Sequence, residues 1–177
     1  MTRGGLGLYD EAVLRTRLPG GGLDFCVMGR SNIIDVEPVL LSGREISVRD
    51  DVAVPAFESY VFPNPARVEV LIRRSGGELE VAGTIGVSYA GSCDRCLEDV
   101  RRDLHLEVDE RFMPKNERDG PFAENNVLDG SRLDLADLVR QLIDSALPLS
   151  LVCSDECRGL CPVCGLNLNG DACSHAP

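Results

Sequence analysis

Apolar and polar residues alternate with a two-residue period through the middle of the chain, between about residues 67 and 108. Such alternation places the apolar side chains on one face of a β-strand. Turn residues Ser75-Gly76-Gly77 and the segment around Cys93 interrupt it. The sequence therefore predicts three consecutive strands in an antiparallel meander with one solvated face. The apolar positions are Val68, Val70, Ile72, Leu79, Val81, Ile85, Val87, Tyr89, Val100, Leu104, Leu106 and Val108.

The period changes to that of a helix after residue 130. Ser131 and Asp134 have the spacing of a capping box, and Pro148 stops the pattern, so we predict a helix over 131–147. Its apolar positions fall on one face, which favours an amphipathic helix packed on the sheet. They are Leu135, Leu138, Val139, Leu142, Ile143, Ala146 and Leu147.

The chain of 177 residues has three predicted regions. Residues 1–34 are Gly-rich without a sustained period and are expected to be a flexible N-terminal segment; 35–152 form a β-rich core domain, and 153–177 a cysteine-rich, zinc-binding tail. The predicted fold class is α+β and β-rich. We expect an antiparallel sheet, either a meander or a partly closed barrel, packed by one amphipathic helix and followed by a C-terminal zinc-knuckle segment.

Two cysteine pairs have a gap of two residues: Cys93-Asp-Arg-Cys96 and Cys161-Pro-Val-Cys164, the second followed by glycine. This spacing lets two thiolates bind one side of a metal ion, while glycine allows a tight turn beneath it. The tail adds Cys153, Cys157, Cys173 and His175. These eight candidate ligands suffice for two four-coordinate sites, which are typical of structural zinc.

Two partitions of the ligands are compatible with the spacing. We favour the first because it uses all eight ligands and closes the second site within fifteen residues. In it, site 1 is Cys93, Cys96, Cys153 and Cys157, and site 2 is Cys161, Cys164, Cys173 and His175. In the second partition the two pairs share one metal, as in a zinc ribbon, and leave Cys153, Cys157, Cys173 and His175 as looser ligands.

Cysteine usage also bears on the cellular compartment. Charged residues interrupt the apolar positions between Gly4 and Arg17, so no secretory signal is predicted and a cytoplasmic protein is expected. In a reducing cytoplasm, clustered cysteines more often hold metal than form disulfides. A thiol redox sensor is an open alternative, although Cys93 and Cys96 lie between two predicted strands rather than in a βαβ unit. Cys26 has no neighbouring ligand and is expected to be unliganded.

The net charge of −11 narrows the choice of partner. The half of the chain before Cys93 carries −3 and the half that starts there carries −8. An acidic surface repels nucleic-acid phosphates and favours a basic partner. Direct RNA binding would have to rely on Arg73/Arg74 and Arg101/Arg102. No apolar run reaches the length of a membrane span, so no membrane partner is expected.

Three motifs resemble those of the YceD family of bacteria and chloroplasts, the large ribosomal RNA subunit accumulation proteins. They are Cys93-Asp-Arg-Cys96-Leu-Glu, the helix ending Ala146-Leu-Pro-Leu, and Cys153-x3-Cys157-Arg-Gly-Leu-Cys161-Pro-Val-Cys164-Gly-Leu-Asn-Leu-Asn. The resemblance covers residues 35–175. It implies a cytoplasmic factor needed for accumulation of the large-subunit (23S) ribosomal RNA.

The sequence and the resemblance together suggest a non-enzymatic factor in large ribosomal subunit biogenesis. We expect an acidic module, stabilised by one or two zinc ions, that binds a basic ribosomal protein or assembly factor. The alternatives are direct binding of ribosomal RNA through the two arginine pairs and thiol redox sensing.

Overall fold

Five strands form the main sheet of the computed structural model, which describes residues 32–57, 59–114, 126–128, 130–170 and 173–175. Their spatial order follows the chain: β2 (Ile46–Val52), β3 (Ala66–Ser75), β4 (Glu78–Ser92), β5 (Asp99–Pro114) and β6 (Asn126–Leu128). A second sheet pairs β1 (Ile33–Asp35) with β7 (Arg132–Asp134). The helices are α1 (Glu37–Ser42) and α2 (Leu135–Ala146). The predicted β-rich α+β class is confirmed.

The predicted meander corresponds to β3, β4 and β5, which pair antiparallel along nearly their whole length. Gly76, with φ of 63°, closes the turn between β3 and β4. The short strand β6 pairs parallel to β5, so the sheet is mixed rather than wholly antiparallel. At the opposite edge, β2 pairs antiparallel with β3.

The main core lies between the sheet and α2. Leu135, Leu138, Val139 and Ile143 are buried on the helix and belong to one cluster with the inward-facing residues of the sheet. Burying an aliphatic side chain of this size stabilises the fold by about 1.5–3 kcal/mol before the loss of conformational entropy is counted. The amphipathic helix predicted from the period therefore covers the sheet.

The starts of helix α2 and of strand β1 differ from the predicted boundaries. Helix α2 begins at Leu135 rather than at residue 131, and its cap is Asp134, whose carboxylate accepts the N–H of Asp137 at 3.0 Å. The preceding residues form β7 because Leu133 is buried there against the core. Strand β1 begins at Ile33, inside the segment predicted to be flexible, while residues 1–31 with Cys26 lie outside the described part.

A second, smaller core lies where β4 ends and β5 begins. The rings of Tyr60 and Tyr89 meet edge to face with centroids 5.6 Å apart, and buried cysteines surround them. The Tyr60 hydroxyl donates to the carbonyl of Pro148, two residues after the end of α2. This core therefore fixes the chain where it leaves the helix and approaches the cysteines. In the described part of the chain, neither helix has the length and apolar character to cross a bilayer.

Candidate metal centres

The first cysteine pair lies in the turn between β4 and β5, which we call the first knuckle (residues 93–98). Two backbone hydrogen bonds close it: the Cys93 N–H donates to the Glu98 carbonyl at 2.8 Å, and the Leu97 N–H donates to the Cys93 carbonyl at 2.9 Å. Leu97 has φ of 62°, in the left-handed region that β-carbons disfavour. This backbone turn places both sulfur atoms of the pair on one side.

The second pair forms a knuckle with the same hydrogen-bond pattern, which we call the second knuckle (residues 161–166). The Cys161 N–H donates to the Leu166 carbonyl at 2.8 Å, and the Gly165 N–H donates to the Cys161 carbonyl at 2.9 Å. Gly165 takes φ of 72°, where Leu97 takes 62°. The two knuckles are therefore two copies of one local structure, the first within the sheet and the second in the tail.

Four cysteines converge at the first knuckle and form the inner cysteine group: Cys93, Cys96, Cys153 and Cys157. Cys153 is partly buried and the other three are buried. The Sγ atoms of Cys93 and Cys157 are 3.8 Å apart, and those of Cys96 and Cys153 are 3.6 Å apart. Zinc–sulfur bonds of about 2.3 Å in a tetrahedron give sulfur–sulfur edges of roughly 3.8 Å. These two sulfur–sulfur distances thus match the edges of a zinc–thiolate tetrahedron.

The outer cysteine group consists of Cys161, Cys164, Cys173 and His175. The Sγ atoms of Cys164 and Cys173 are 3.4 Å apart, and the Cys173 Sγ lies 3.5 Å from Nδ1 of His175. Only Cys161 is buried, so this group is much more open to solvent than the inner one. In each group all ligand atoms lie within 4.8 Å of one another, and the structure gathers the eight candidate residues in the first of the two partitions.

The first knuckle also holds the chain that brings Cys153 to the inner group. The Asp94 carboxylate accepts the Leu151 N–H at 2.8 Å and the Ser150 hydroxyl at 2.9 Å. The Asp94 N–H in turn donates to the Leu151 carbonyl at 2.8 Å. Asp94 therefore fixes the approach to Cys153. Its position inside the cysteine pair was visible in the sequence, but its partners were not.

Two arginines bind backbone carbonyls of the same segment. Arg95 Nη1 donates to the carbonyls of Asp155 and Cys157, both at 3.2 Å. Arg102 Nη2 donates to the carbonyl of Cys153 at 2.7 Å. These contacts hold the two tail cysteines against the sheet, a role that sequence patterns did not reveal.

Backbone N–H groups directed at sulfur alter the acidity of the inner thiols. Burial opposes ionisation of Cys93, but N–H groups of Cys96, Arg95 and Cys153 point at its sulfur and lower its pKa to about 6. The N–H of Glu98 favours the Cys96 thiolate, yet burial and the neighbouring sulfurs outweigh it and raise its pKa to about 12. The sulfurs of the inner group therefore differ in acidity, and a bound cation would take the place of the thiol protons.

N–H groups directed at sulfur also lower the pKa of one cysteine in the outer group and of a second cysteine in the inner group. N–H groups of Cys164 and Val163 lower the pKa of Cys161 to about 7 despite burial. A hydrogen bond from the Asn169 side chain lowers the pKa of Cys157 in the inner group. Each group thus contains a thiol prepared to act as an anionic ligand.

The donor sets fit a structural metal. Thiolate and imidazole are the ligands of closed tetrahedral zinc sites, whereas a catalytic site keeps one position open. The sulfur separations exceed the roughly 2.05 Å of a disulfide bond, and the seven described cysteines are free. The two cysteine-rich groups could therefore each hold one metal ion.

The two arginine pairs do not lie together. Arg73 is opposite Glu80 on β4 and Arg102 is opposite Tyr89, nine residues further along that strand and roughly 30 Å away at about 3.3 Å per residue. Arg73 forms an ion pair with Glu80, and Arg74 donates to the Leu40 carbonyl at 2.9 Å. The pairs thus do not form one continuous cationic patch.

The fold and the two groups define a class: a β-rich α+β protein with paired knuckles, one in the sheet and one in the tail. Residues 81–177 match the model of the family "Large ribosomal RNA subunit accumulation protein YceD". The match covers more than half of the chain, and the protein belongs to the YceD family. The resemblance noted in the sequence is therefore confirmed.

Similar curated proteins come from mycobacteria. An uncharacterized protein of Mycobacterium tuberculosis strain H37Rv is 38% identical over 93 residues, which span 50% of this chain and 44% of that protein. An uncharacterized protein of Mycobacterium leprae is 26% identical over 111 residues, spanning 59% of this chain and 49% of that protein. The chain spans about half the length of these curated relatives. No solved structure matches it.

Proposed function

We propose that this protein is a non-enzymatic, cytoplasmic factor in large ribosomal subunit biogenesis, needed for accumulation of the large-subunit (23S) ribosomal RNA. The YceD family match over residues 81–177 is the observation that carries the proposal. In this account the protein is an acidic module that binds a basic ribosomal protein or a basic assembly factor. Zinc bound by the inner and outer cysteine groups stabilises it.

The distribution of charge supports a basic protein rather than RNA as the direct partner. The whole chain carries −11, and three of the four arginines in the separated pairs, Arg73, Arg74 and Arg102, make intramolecular contacts. RNA binding at physiological salt depends on several cations that neutralise phosphates together. An acidic surface instead attracts a lysine- or arginine-rich protein and speeds its association.

The knuckles offer a surface for such a partner. Leu97 in the first knuckle is 64% exposed and Val163 in the second is 70% exposed. Two exposed acidic residues, Glu98 and Asp99, follow Leu97 in the chain. Apolar side chains beside carboxylates suit a protein segment in which basic and apolar residues alternate.

Affinity capture from cell extract of the source organism, with and without ribonuclease, tests the proposal. The full, zinc-loaded chain should retain basic large-subunit proteins or assembly factors after ribonuclease treatment. A metal-stripped sample provides the control and should lose them. Disappearance of every partner with ribonuclease would show that the protein binds RNA directly and would overturn the acidic-module account.

A further inference from the structure

Two asparagines in the loop of the outer cysteine group reach the first knuckle and the inner cysteine group. Asn167 and Asn169 lie between Cys164 and Cys173, two members of the outer group. The Asn169 side-chain nitrogen donates to the Sγ of Cys157, an inner-group cysteine, at 3.3 Å. A side chain held by one candidate metal site thus bonds directly to a ligand atom of the other.

The orientation of the Asn169 amide is fixed. Its Oδ1 accepts the backbone N–H of Arg158 at 2.7 Å, so Nδ2 is the atom that faces sulfur. The Asn169 N–H donates to Oδ1 of Asn167 at 2.9 Å. Asn167 Nδ2 donates to the carboxylate of Glu98 in the first knuckle at 2.8 Å. Both asparagines therefore bind the loop to the inner site.

Backbone hydrogen bonds run alongside these side chains. The Leu168 N–H donates to the Gly159 carbonyl at 2.9 Å, and the Leu160 N–H donates to the Arg95 carbonyl at 3.1 Å. Gly159, with φ of 73°, allows the close approach because a β-carbon there would lie 3.0 Å from the Arg95 carbonyl oxygen. The segment before the second knuckle consequently packs on the first knuckle, and the segment after it pairs with that segment.

From this geometry we propose that Asn169 is a positioning residue that couples the two metal sites, so that filling the outer group tightens metal binding by the inner one. A metal at the outer group fixes both ends of the loop and reduces the entropy cost of holding Asn169 against Cys157. The N–H···S bond then stabilises negative charge on a metal-bound thiolate. By thermodynamic reciprocity, a filled inner group strengthens the outer one by the same factor. The inference rests on metal binding by both groups in the proposed function.

Zinc affinity of the inner group, measured on the full chain by competition with a chromophoric chelator, tests the coupling. Disabling the outer group with Cys173→Ser should weaken inner-group binding by about 5- to 100-fold. Asn169→Ala in the otherwise intact chain should weaken it by about 10- to 100-fold, as expected for removal of a hydrogen bond to a metal ligand. In the Asn169→Ala background, Cys173→Ser should cause no further loss.

Asn126→Ala is the matched control. Asn126 also donates one side-chain hydrogen bond, to the Glu110 carboxylate at 2.8 Å, but it lies on β6 outside both groups. This variant should bind zinc like the parent chain. Asn169→Asp keeps an acceptor for the Arg158 N–H while placing a carboxylate oxygen against sulfur. It should therefore weaken zinc binding by the inner group, and it serves as the test if Asn169→Ala fails to fold.

The outcomes separate the coupling from the underlying metal sites. The parent chain could bind two zinc ions while Cys173→Ser leaves the zinc affinity of the inner group unchanged. That result would overturn the coupling but not the two zinc sites. If Cys173→Ser lowered the zinc affinity of the inner group equally with Asn169 present and with Asn169→Ala, Asn169 would have no part in the coupling. Absence of zinc binding in the parent chain would overturn both the coupling and the zinc-stabilised module.

Discussion

Leu97 and Gly165 occupy equivalent positions in the two knuckles. Each follows the second cysteine of its pair, and each donates its N–H to the carbonyl of the first cysteine at 2.9 Å. Their φ angles are 62° and 72°. Among the described residues other than glycine, Leu97 alone has a positive φ. The first knuckle thus keeps a leucine where the backbone favours glycine.

Replacing Leu97 with glycine should stabilise the fold. The left-handed conformation costs a residue with a β-carbon roughly 1–2 kcal/mol, and the exposed Leu97 side chain contributes little packing. Part of this gain is lost because glycine has more freedom when unfolded, so we expect a net gain of up to about 1 kcal/mol. Denaturant unfolding of the zinc-loaded chain measures it.

Two variants control this prediction. Gly165→Ala should destabilise by about 1–2 kcal/mol through backbone strain, since no atom lies within 4 Å of the added β-carbon. Leu149→Gly removes an equally apolar, fully exposed side chain at a negative φ and should bring no gain. A Leu97→Gly variant less stable than its parent would show that the leucine side chain stabilises the knuckle.

The two cysteine groups should differ in their effect on stability. Cys93→Ser disrupts a buried site joined to β4, β5 and the second core, so it should destabilise the whole sheet by more than about 4 kcal/mol. Cys173→Ser should loosen mainly the tail. Thermal unfolding followed by circular dichroism measures both, with Cys26→Ser as a neutral control. Equal losses of Tm for Cys93→Ser and Cys173→Ser would contradict two separate sites.

Asp94 should be important for the inner group without being a ligand. Asp94→Ala leaves the Leu151 N–H and the Ser150 hydroxyl without their acceptor, which should cost about 1–3 kcal/mol. Because this segment delivers Cys153, zinc affinity should fall as well. Ser150→Ala removes only one of the two bonds and should have a smaller effect. Equal stability and zinc affinity in Asp94→Ala and the parent would refute this role.

Glu80 should give the sheet a pH-dependent contribution. Its hydrogen bond from Arg73 lowers the Glu80 pKa below the ordinary value of 4.5. A carboxyl with a depressed pKa stabilises the folded state above pH 4.5, and this contribution is lost as pH falls through the folded-state value. Glu80→Gln should therefore be less stable than its parent at pH 7, and the difference should shrink in acid.

Urea unfolding at a series of pH values measures this difference. Glu69→Gln is the control, because the Arg49–Glu69 pair is exposed and its atoms are 3.9 Å apart. If the difference in unfolding free energy between Glu80→Gln and the parent stayed constant as the pH fell, the pH-dependent contribution of Glu80 would be contradicted.

Strands β3, β4 and β5 and helix α2 were predictable because their periods extend over many residues. β3, β4 and β5 repeat apolar residues at every second position, and α2 repeats them at helical spacing. Strands β1 and β7 have three residues each, too few to show a period, so the helix was extended back over β7. The division into a core and a zinc-binding tail stays a prediction.

The candidate site was likewise predictable from the sequence only in part. The spacing of the cysteines favoured the grouping into an inner and an outer group because it uses all eight candidate ligands and closes the outer group within fifteen residues. The hydrogen bonds of Asp94 with Leu151, of Arg102 with Cys153 and of Asn169 with Cys157 join residues between 12 and 57 positions apart in the chain. Only the folded topology brings them together, so local sequence patterns could not identify them.

The positions of the metal ions test the central claim most directly. Crystals of the zinc-loaded full chain, measured at the zinc absorption edge, give those positions from anomalous scattering. We predict two peaks, one about 2.3 Å from the sulfurs of Cys93, Cys96, Cys153 and Cys157, the other bound by Cys161, Cys164, Cys173 and His175. A single ion shared by the cysteine pairs of the two knuckles, or disulfides in place of metal, would contradict the account.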